Sequence, residues 1–356
     1  MLTRIGGSSL GAVAARGVAA GALALAAVAL AGVSASAAPK DIRWGTGPVG
    51  SSGYQALVEL ANVLNKAMPE FRITVLPTPG AVTTVKGYAT GQFDGDYASD
   101  VAFRELKANT GRFEGFKEHV KYQPEQSFWC YTLDVSLGIK ASDRGTIKKW
   151  SDLSGKPVYT GPLPFDTRKY LENAMAAVGV HHIYKQVDLS TVGSQLDSGS
   201  IKGMIIYAAG GQTPPPWLTQ ASLAVDWTAL NPSPDELATL KEKGFASEEV
   251  DPGPFHMKQA YVKKVTLLPF YWGFDLGQNV STDEMYKMLT VIEKHADELA
   301  KLDTSFRQIG GGKMAEFQKR ALESTWNLAP IHPGLEKFLK AEGMWESKWD
   351  SRVARM

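Results

Sequence analysis

Four short stretches of this chain combine the residue types that capture a small polar or anionic group: residues 45–53, 77–82, 161–167 and 207–212. All are rich in Gly, Pro, Ser or Thr. Gly lets the backbone approach a guest closely, and Ser and Thr add hydroxyls. Each stretch stands where a strand passes into a helix, and free N–H groups and a partial positive charge collect at a helix start. The chemistry this favours is hydrogen-bond capture of a carboxylate or a similar group. The candidate contacts are Thr46, Gly47, Val49, Ser51, Ser52 and Tyr54 in the first stretch, and Thr78, Pro79, Gly80, Ala81 and Val82 in the second. Gly161, Pro162, Phe165, Asp166 and Thr167 form the third set, with Arg168 beside it as a candidate charged clamp. Tyr207, Ala208 and Gly210 come from the fourth. Ser99 and Asp100, at the start of a further helix, and Trp272, from the aromatic run Phe270-Tyr271-Trp272, complete the set.

Rival chemistries fit less well. Gly45-x-Gly47-x-x-Gly50 spells the dinucleotide fingerprint, but no carboxylate ends the second strand, where Leu76-Pro77-Thr78 stands. Pro48 also removes one N–H that a phosphate would use. The six histidines (119, 181, 182, 256, 295, 332) show no metal-binding helix spacing, and His181-His182 reads as a solvated turn. There is no G-x-S-x-G elbow, and Gly310-Gly311-Gly312-Lys313 lacks the spacing and hydroxyl of a phosphate loop. The sequence therefore calls for no cofactor, no metal and no catalytic residue.

The elements that must position these loops follow from periodicity. Residues 41–44, 71–76 and 93–98 read as strands, separated by helices over 54–68 and 81–90 and followed by one capped at Ser99 or Asp100. A second series reads as strands at 128–139, 157–160, 187–189 and 204–207, with helices over 168–178 and 190–199. Extended segments at 266–270 and 271–274, then helices over 282–301, 313–326 and 334–342, close the chain. Repeated strand–loop–helix units predict an α/β fold with two parallel sheets. Ligands bind beyond the carboxyl ends of such strands, so loops from two sheets point to a shared cleft.

Composition narrows the class. Arg4 and Arg16, the uncharged run 17–33 and Ala35-Ser36-Ala37 have the form of a cleaved secretory leader, 1–37, with cleavage near Ala37-Ala38. Beyond it the charges nearly balance, 36 basic against 37 acidic residues, which argues against nucleic acid or an anionic membrane as partner. The single cysteine, Cys130, sits among Phe128, Trp129 and Tyr131 and reads as a buried thiol.

Four motifs in order resemble one family. The first is Gly45-Thr46-Gly47-Pro48-Val49-Gly50-Ser51-Ser52-Gly53-Tyr54. The second runs from Pro79-Gly80-Ala81-Val82 through Gly91-Gln92-Phe93-Asp94 to Ser99-Asp100-Val101-Ala102-Phe103. The third is Asp152-Leu153-Ser154-Gly155-Lys156-Pro157-Val158-Tyr159-Thr160-Gly161-Pro162, and the last is His332-Pro333-Gly334. Together they resemble the TAXI branch of the solute-binding subunits of tripartite ATP-independent periplasmic (TRAP) transporters. That resemblance implies a two-domain periplasmic-binding-protein (venus flytrap, type II-like) fold with the ligand cleft between the domains. It implies a periplasmic receptor without catalysis that hands a carboxylate such as glutamate, 2-oxoglutarate or another organic acid to the TRAP membrane subunits. Domain I is expected from 38–132 plus 255–356 and domain II from 133–254, with hinges near 131–137 and 250–272. A ligand sensor feeding a signalling protein shares these expectations; an exported enzyme is the third class. The sequence departs from the family in two loops, Thr78-Pro79-Gly80-Ala81 and Gly161-Pro162-Leu163-Pro164-Phe165-Asp166-Thr167. Phe165 there points to a flatter or more apolar guest.

Overall fold

The computed structural model describes residues 38–277, 279–324 and 329–355, so the leader expected over 1–37 lies outside the described residues. Residues 39–356 form one compact unit. Its first part is three strand–helix units: β1 (Lys40–Thr46), α1 (Ser52–Ala67), β2 (Phe71–Pro77), α2 (Ala81–Thr90), β3 (Gly95–Ser99) and α3 (Asp100–Ala108). A long strand β4 (Trp129–Lys140) leads to β5 (Pro157–Tyr159), α4 (Asp166–Ala177), β6 (Ile183–Tyr184), α5 (Val192–Asp197) and β7 (Gly203–Ala209). Then come α6 (Pro216–Ala224), β8 (Trp227–Leu230), α7 (Pro234–Glu242) and β9 (Glu248–Val250). A second long strand, β10 (Val265–Leu276), is followed by α8 (Thr282–Lys294), α9 (Ala296–Leu302), α10 (Met314–Ser324) and α11 (Pro333–Ala341).

The local reasons are ordinary. In α1 the buried face is Ala56, Leu57, Leu60, Val63 and Leu64, spaced for one side of a helix, and Ser51 caps it by accepting the Tyr54 N–H at 3.2 Å. Helices α7 and α8 open on capping boxes, Ser233 with Glu236 and Ser281 with Glu284. Strands β4 and β7 are buried along almost their whole length, as strands covered on both faces must be. Cys130 is buried, and its thiol donates to the Trp272 carbonyl at 3.3 Å.

The fold is mixed α/β in two lobes, and the expected pair of separate sheets is corrected to one continuous sheet. Its strands run in the order β2-β1-β3-β10-β4-β7-β5-β6. The β2-β1-β3 and β5-β6 pairs and the β5-β7 pair are parallel, while β10 and β4 pair antiparallel with each other and with their other neighbours β3 and β7. Both middle strands belong to both lobes. In β4, Trp129–Thr132 pair only toward β10, whereas Ser136–Gly138 pair with β7. In β10, Trp272–Leu276 face β3, and Val265–Leu267 pair with β9. Twelve-residue strands have length enough to run through two lobes, and two such strands side by side make a natural bending line.

Three local expectations change. No strand forms at 187–189; a 3₁₀ turn covers Leu189–Thr191, and the edge strand is Ile183–Tyr184. The single helix over 282–301 is two, broken at His295, whose side chain accepts or donates across 2.7 Å to Glu298. His182 is not a solvated turn residue, because its Nε2 tucks to 3.6 Å from Glu172.

Candidate functional site

The ends of β1 and β2 are laced together before any guest is considered. The Thr46 carbonyl accepts the Thr78 hydroxyl at 2.7 Å and the Thr78 N–H at 3.0 Å. The same hydroxyl accepts the Gly80 N–H at 3.1 Å. This places the starts of α1 and α2 side by side. From the other lobe the loop 161–165 brings the start of α4 against them. Gly80, at φ +147, faces Phe165 so closely that a Cβ would stand 2.9 Å from the ring. A β-carbon is therefore excluded both by conformation and by space. The Val82 N–H reaches the Pro164 carbonyl across the seam at 3.4 Å.

Three helix starts thus meet around one small cavity of about 20 Å³. A water molecule needs ~10–15 Å³ measured that way, so the space takes one water or so in this arrangement. Gly47, Ser51, Ser52 and Gly53 wall it from the α1 side, and Gly80 and Ala81 from the α2 side. Phe165 and Thr167 at the start of α4, with Tyr207 of β7, form the opposite wall. Tyr97 of β3, Leu133 of β4 and Trp272 of β10 form the floor along the strands that join the lobes. The Tyr97 and Trp272 rings lie 4.6 Å apart, and the Tyr97 and Tyr131 hydroxyls meet at 2.8 Å. Burial pushes the Tyr97 and Tyr131 phenols well up, so both stay neutral. Three wall groups that are more than nine-tenths buried have no hydrogen-bond partner: the hydroxyls of Ser52 and Thr167 and the indole N–H of Trp272. Buried donors are normally satisfied, and these three at the cavity are left open.

Charge is kept out of the cavity and concentrated next to it. Asp166 is wholly buried; one oxygen accepts the Ser99 hydroxyl at 2.7 Å and the Ser99 N–H at 3.1 Å, and the other lies 2.8 Å from Arg112. Arg112 also pairs with Glu105 at 2.5 Å. Burial pulls the Arg112 guanidinium's pKa down, but the two carboxylates outweigh it and hold the group charged. Ser99 and Arg112 belong to the first lobe and Asp166 to the second, so this cluster fastens the seam.

Of the candidate contacts, Gly47, Ser51, Ser52, Gly80, Ala81, Phe165, Thr167, Tyr207 and Trp272 come together at the cavity. The others stand elsewhere. Thr46 and Thr78 lace the loops from below, and Ser99 and Asp166 form the seam cluster. Val49 is 68% exposed and Pro79 is exposed, while Val82, Gly161 and Pro162 are not part of the cavity lining. Tyr54 borders a separate surface hollow with Leu302 and Asp303. Asp100 borders another, of about 250 Å³, with Tyr170 and Phe270; burial, opposed by Arg104, raises its pKa to about 6. Ala208 is buried opposite Asp134, and Gly210 donates to the Thr132 carbonyl at 2.9 Å. Arg168 pairs with Glu172 at 3.0 Å and stacks 4.2 Å over Tyr184. Gly53, Tyr97, Leu133 and Arg112 were not among the sequence candidates. Gly53 falls inside the first loop's composition signal, and a Cβ on it would meet the Tyr97 ring at 2.2 Å. Arg112 lies in the irregular stretch 110–127, where the sequence carries no pattern.

No protein-family model matches the chain. No curated protein matches it either. Solved structures do. A putative L-cystine ABC transporter protein from Listeria monocytogenes is similar at TM-score 0.44 and 15% identity, over 77% of this chain and 97% of that one. The alkanesulfonate-binding protein from Xanthomonas axonopodis pv. citri, bound to MOPS, is similar at 0.42 and 12%, over 90% and 100%. An amino acid ABC transporter substrate-binding protein from Streptococcus pneumoniae, bound to L-arginine, is similar at 0.41 and 11%, over 76% and 95%. At TM-scores below 0.5 these likenesses carry neither a ligand nor a partner across.

Proposed function

We propose that this protein is a periplasmic solute receptor that closes its two lobes over a small carboxylate-bearing ligand and delivers it, without turnover, to a secondary-active TRAP membrane transporter. The observation that supports the reading is the convergence of three helix starts and three unpartnered buried donors on one cavity between lobes joined by two long strands. Helix N-termini stabilise negative charge, and fixed dipoles around an anion need little rearrangement on binding. The moving bodies are residues 38–132 with 255–356 and residues 133–254, and they rock about β4 and β10. In the open form the α1 and α2 starts face solvent. The ligand docks there first, and the arrival of Phe165 and Thr167 then expels water and completes its hydrogen bonds.

The four ordered sequence motifs support the TRAP assignment. Its test is uptake into vesicles holding candidate membrane subunits: import driven by a sodium gradient without ATP supports it, and import that requires ATP hydrolysis refutes it. For the receptor itself the test is a thermal-shift screen against organic acids, amino acids and sulfonates. A ligand at 100 times its dissociation constant adds about 2.7 kcal/mol of stability. The ligand must be recovered chemically unchanged; a product accumulating over hours makes the protein an enzyme instead.

A further inference from the structure

Resting on the receptor reading, we infer that the cavity selects a short carboxylate that carries no ammonium group, and so rejects α-amino acids. None of the residues lining the cavity carries a carboxylate, and each of its open side-chain groups can donate. Its open groups are the Ser52 and Thr167 hydroxyls, which can donate or accept, and the Trp272 indole N–H, beside the starts of α1, α2 and α4. Neither α2 nor α4 has a side-chain cap, although in the first turn of α2 the Pro164 and Gly80 carbonyls take the Val82 and Thr83 N–H groups.

The acceptors nearby are already engaged. The Thr46 carbonyl takes both donors of Thr78, and the Pro48 carbonyl takes the Ser51 N–H at 3.0 Å. The Gly80 carbonyl receives the N–H groups of Thr83 and Thr84 at 2.9 and 3.1 Å, and Pro164 receives Val82. The Tyr207 hydroxyl accepts the Trp217 indole N–H at 3.2 Å, and the Tyr97 hydroxyl is matched to Tyr131. The Asp166 carboxylate, next to Thr167 in the chain, is held in the seam by Ser99 and Arg112. An ammonium group entering here would lose its water, face three positive helix ends and find no carboxylate to receive it. A carboxylate would meet charge-assisted donors on several sides.

Size sets the second half of the inference. With about 20 Å³ between the walls, each added carbon must part Gly80 from Phe165 and stretch the Asp166–Arg112 contact. The tail is therefore short and apolar or singly oxygenated, seated against Phe165, Leu133 and the rings of Tyr97 and Trp272. A second carboxylate has no cationic side chain to meet.

The test is titration calorimetry on the purified protein, unfolded and refolded to strip any carried ligand, with guests that differ at one group: propanoate, lactate and pyruvate against alanine, and pyruvate against 2-oxoglutarate and glutamate. Binding of at least one of the three short acids, with alanine at least about 100-fold weaker, supports the inference. Alanine or glutamate binding as tightly as the short acids overturns it while leaving the receptor reading intact, and so does 2-oxoglutarate binding more tightly than pyruvate. Silence from every acid, amino acid and sulfonate overturns both. Thr167→Val and Trp272→Phe should each weaken the best short acid by roughly 10-fold with the far-ultraviolet spectrum unchanged. If both fold and bind as the parent does, these donors do not hold the guest and the inference fails.

Discussion

Asp166 and Thr167 are consecutive at the start of α4, yet they serve opposite ends of the seam. One Asp166 oxygen accepts two hydrogen bonds from Ser99 and the other is ion-paired with Arg112, both of the other lobe, while the Thr167 hydroxyl, equally buried, has neither a hydrogen-bond nor an ion-pair partner. Successive helical residues point about 100° apart, so one helix start supplies a fastening and a cavity wall at once. The difference separates two tasks that are easily confused in a cleft. Full charges sit where they hold protein to protein, and neutral donors and backbone dipoles sit where a guest would enter.

The largest effect should come from breaking the fastening. Asp166→Ala leaves Arg112 buried with Glu105 alone and should cost about 3–5 kcal/mol in urea unfolding. Adding Arg112→Met should recover part of that loss, and a double mutant as unstable as the single one would show that the pair matters through packing rather than charge. On the cavity side, Gly53→Ala forces a methyl into the Tyr97 ring and should cost about 1–3 kcal/mol, together with a measurable loss of ligand affinity. Asp100, beside the seam, tests the charge economy by pH. Its pKa is raised to about 6 from 3.8, chiefly by burial, so the folded form favours the proton. The stability tied to that proton is fully present below about pH 4 and is lost as pH rises through about 6. Asp100→Asn should remove this fall, flattening melting temperatures between pH 4 and 6 by an amount equivalent to about 2 kcal/mol. The smallest effect should be that of Arg168→Ala. It deletes a helical i,i+4 pair and a stacked cation, lowers stability by less than about 1 kcal/mol and leaves affinity unchanged. A tenfold loss of affinity would move Arg168 back to the ligand.

Much of this was legible beforehand, for reasons that can be named. Ser51, Ser52, Gly80 and Thr167 stand out because helix starts need caps and close approaches need glycine, and both are local requirements written in residue type. Cys130 among aromatics could be read as buried for the same kind of reason. Arg168 could not be placed, because its neighbours in sequence suit a clamp and a helical ion pair equally; the structure sets it over the ring of Tyr184, sixteen positions on. Tyr97 and Leu133 lie on strands buried along almost their whole length, so no alternation of exposed and buried residues marks the face that turns to the cavity.

By itself, then, the sequence determined the strand–loop–helix order and the Gly- and Ser-rich helix starts, which depend on neighbours a few residues apart, and the near balance of charge, which depends on composition alone. Tertiary structure decided that two sheets are one, because the insertion of β10 between β3 and β4 joins segments more than a hundred residues apart. It also decided which buried polar groups are spent and which stay open. Ser99, Arg112 and Asp166 meet only through the packing of two lobes, and whether a donor at a helix start is free depends on what stands opposite it, which no local pattern records.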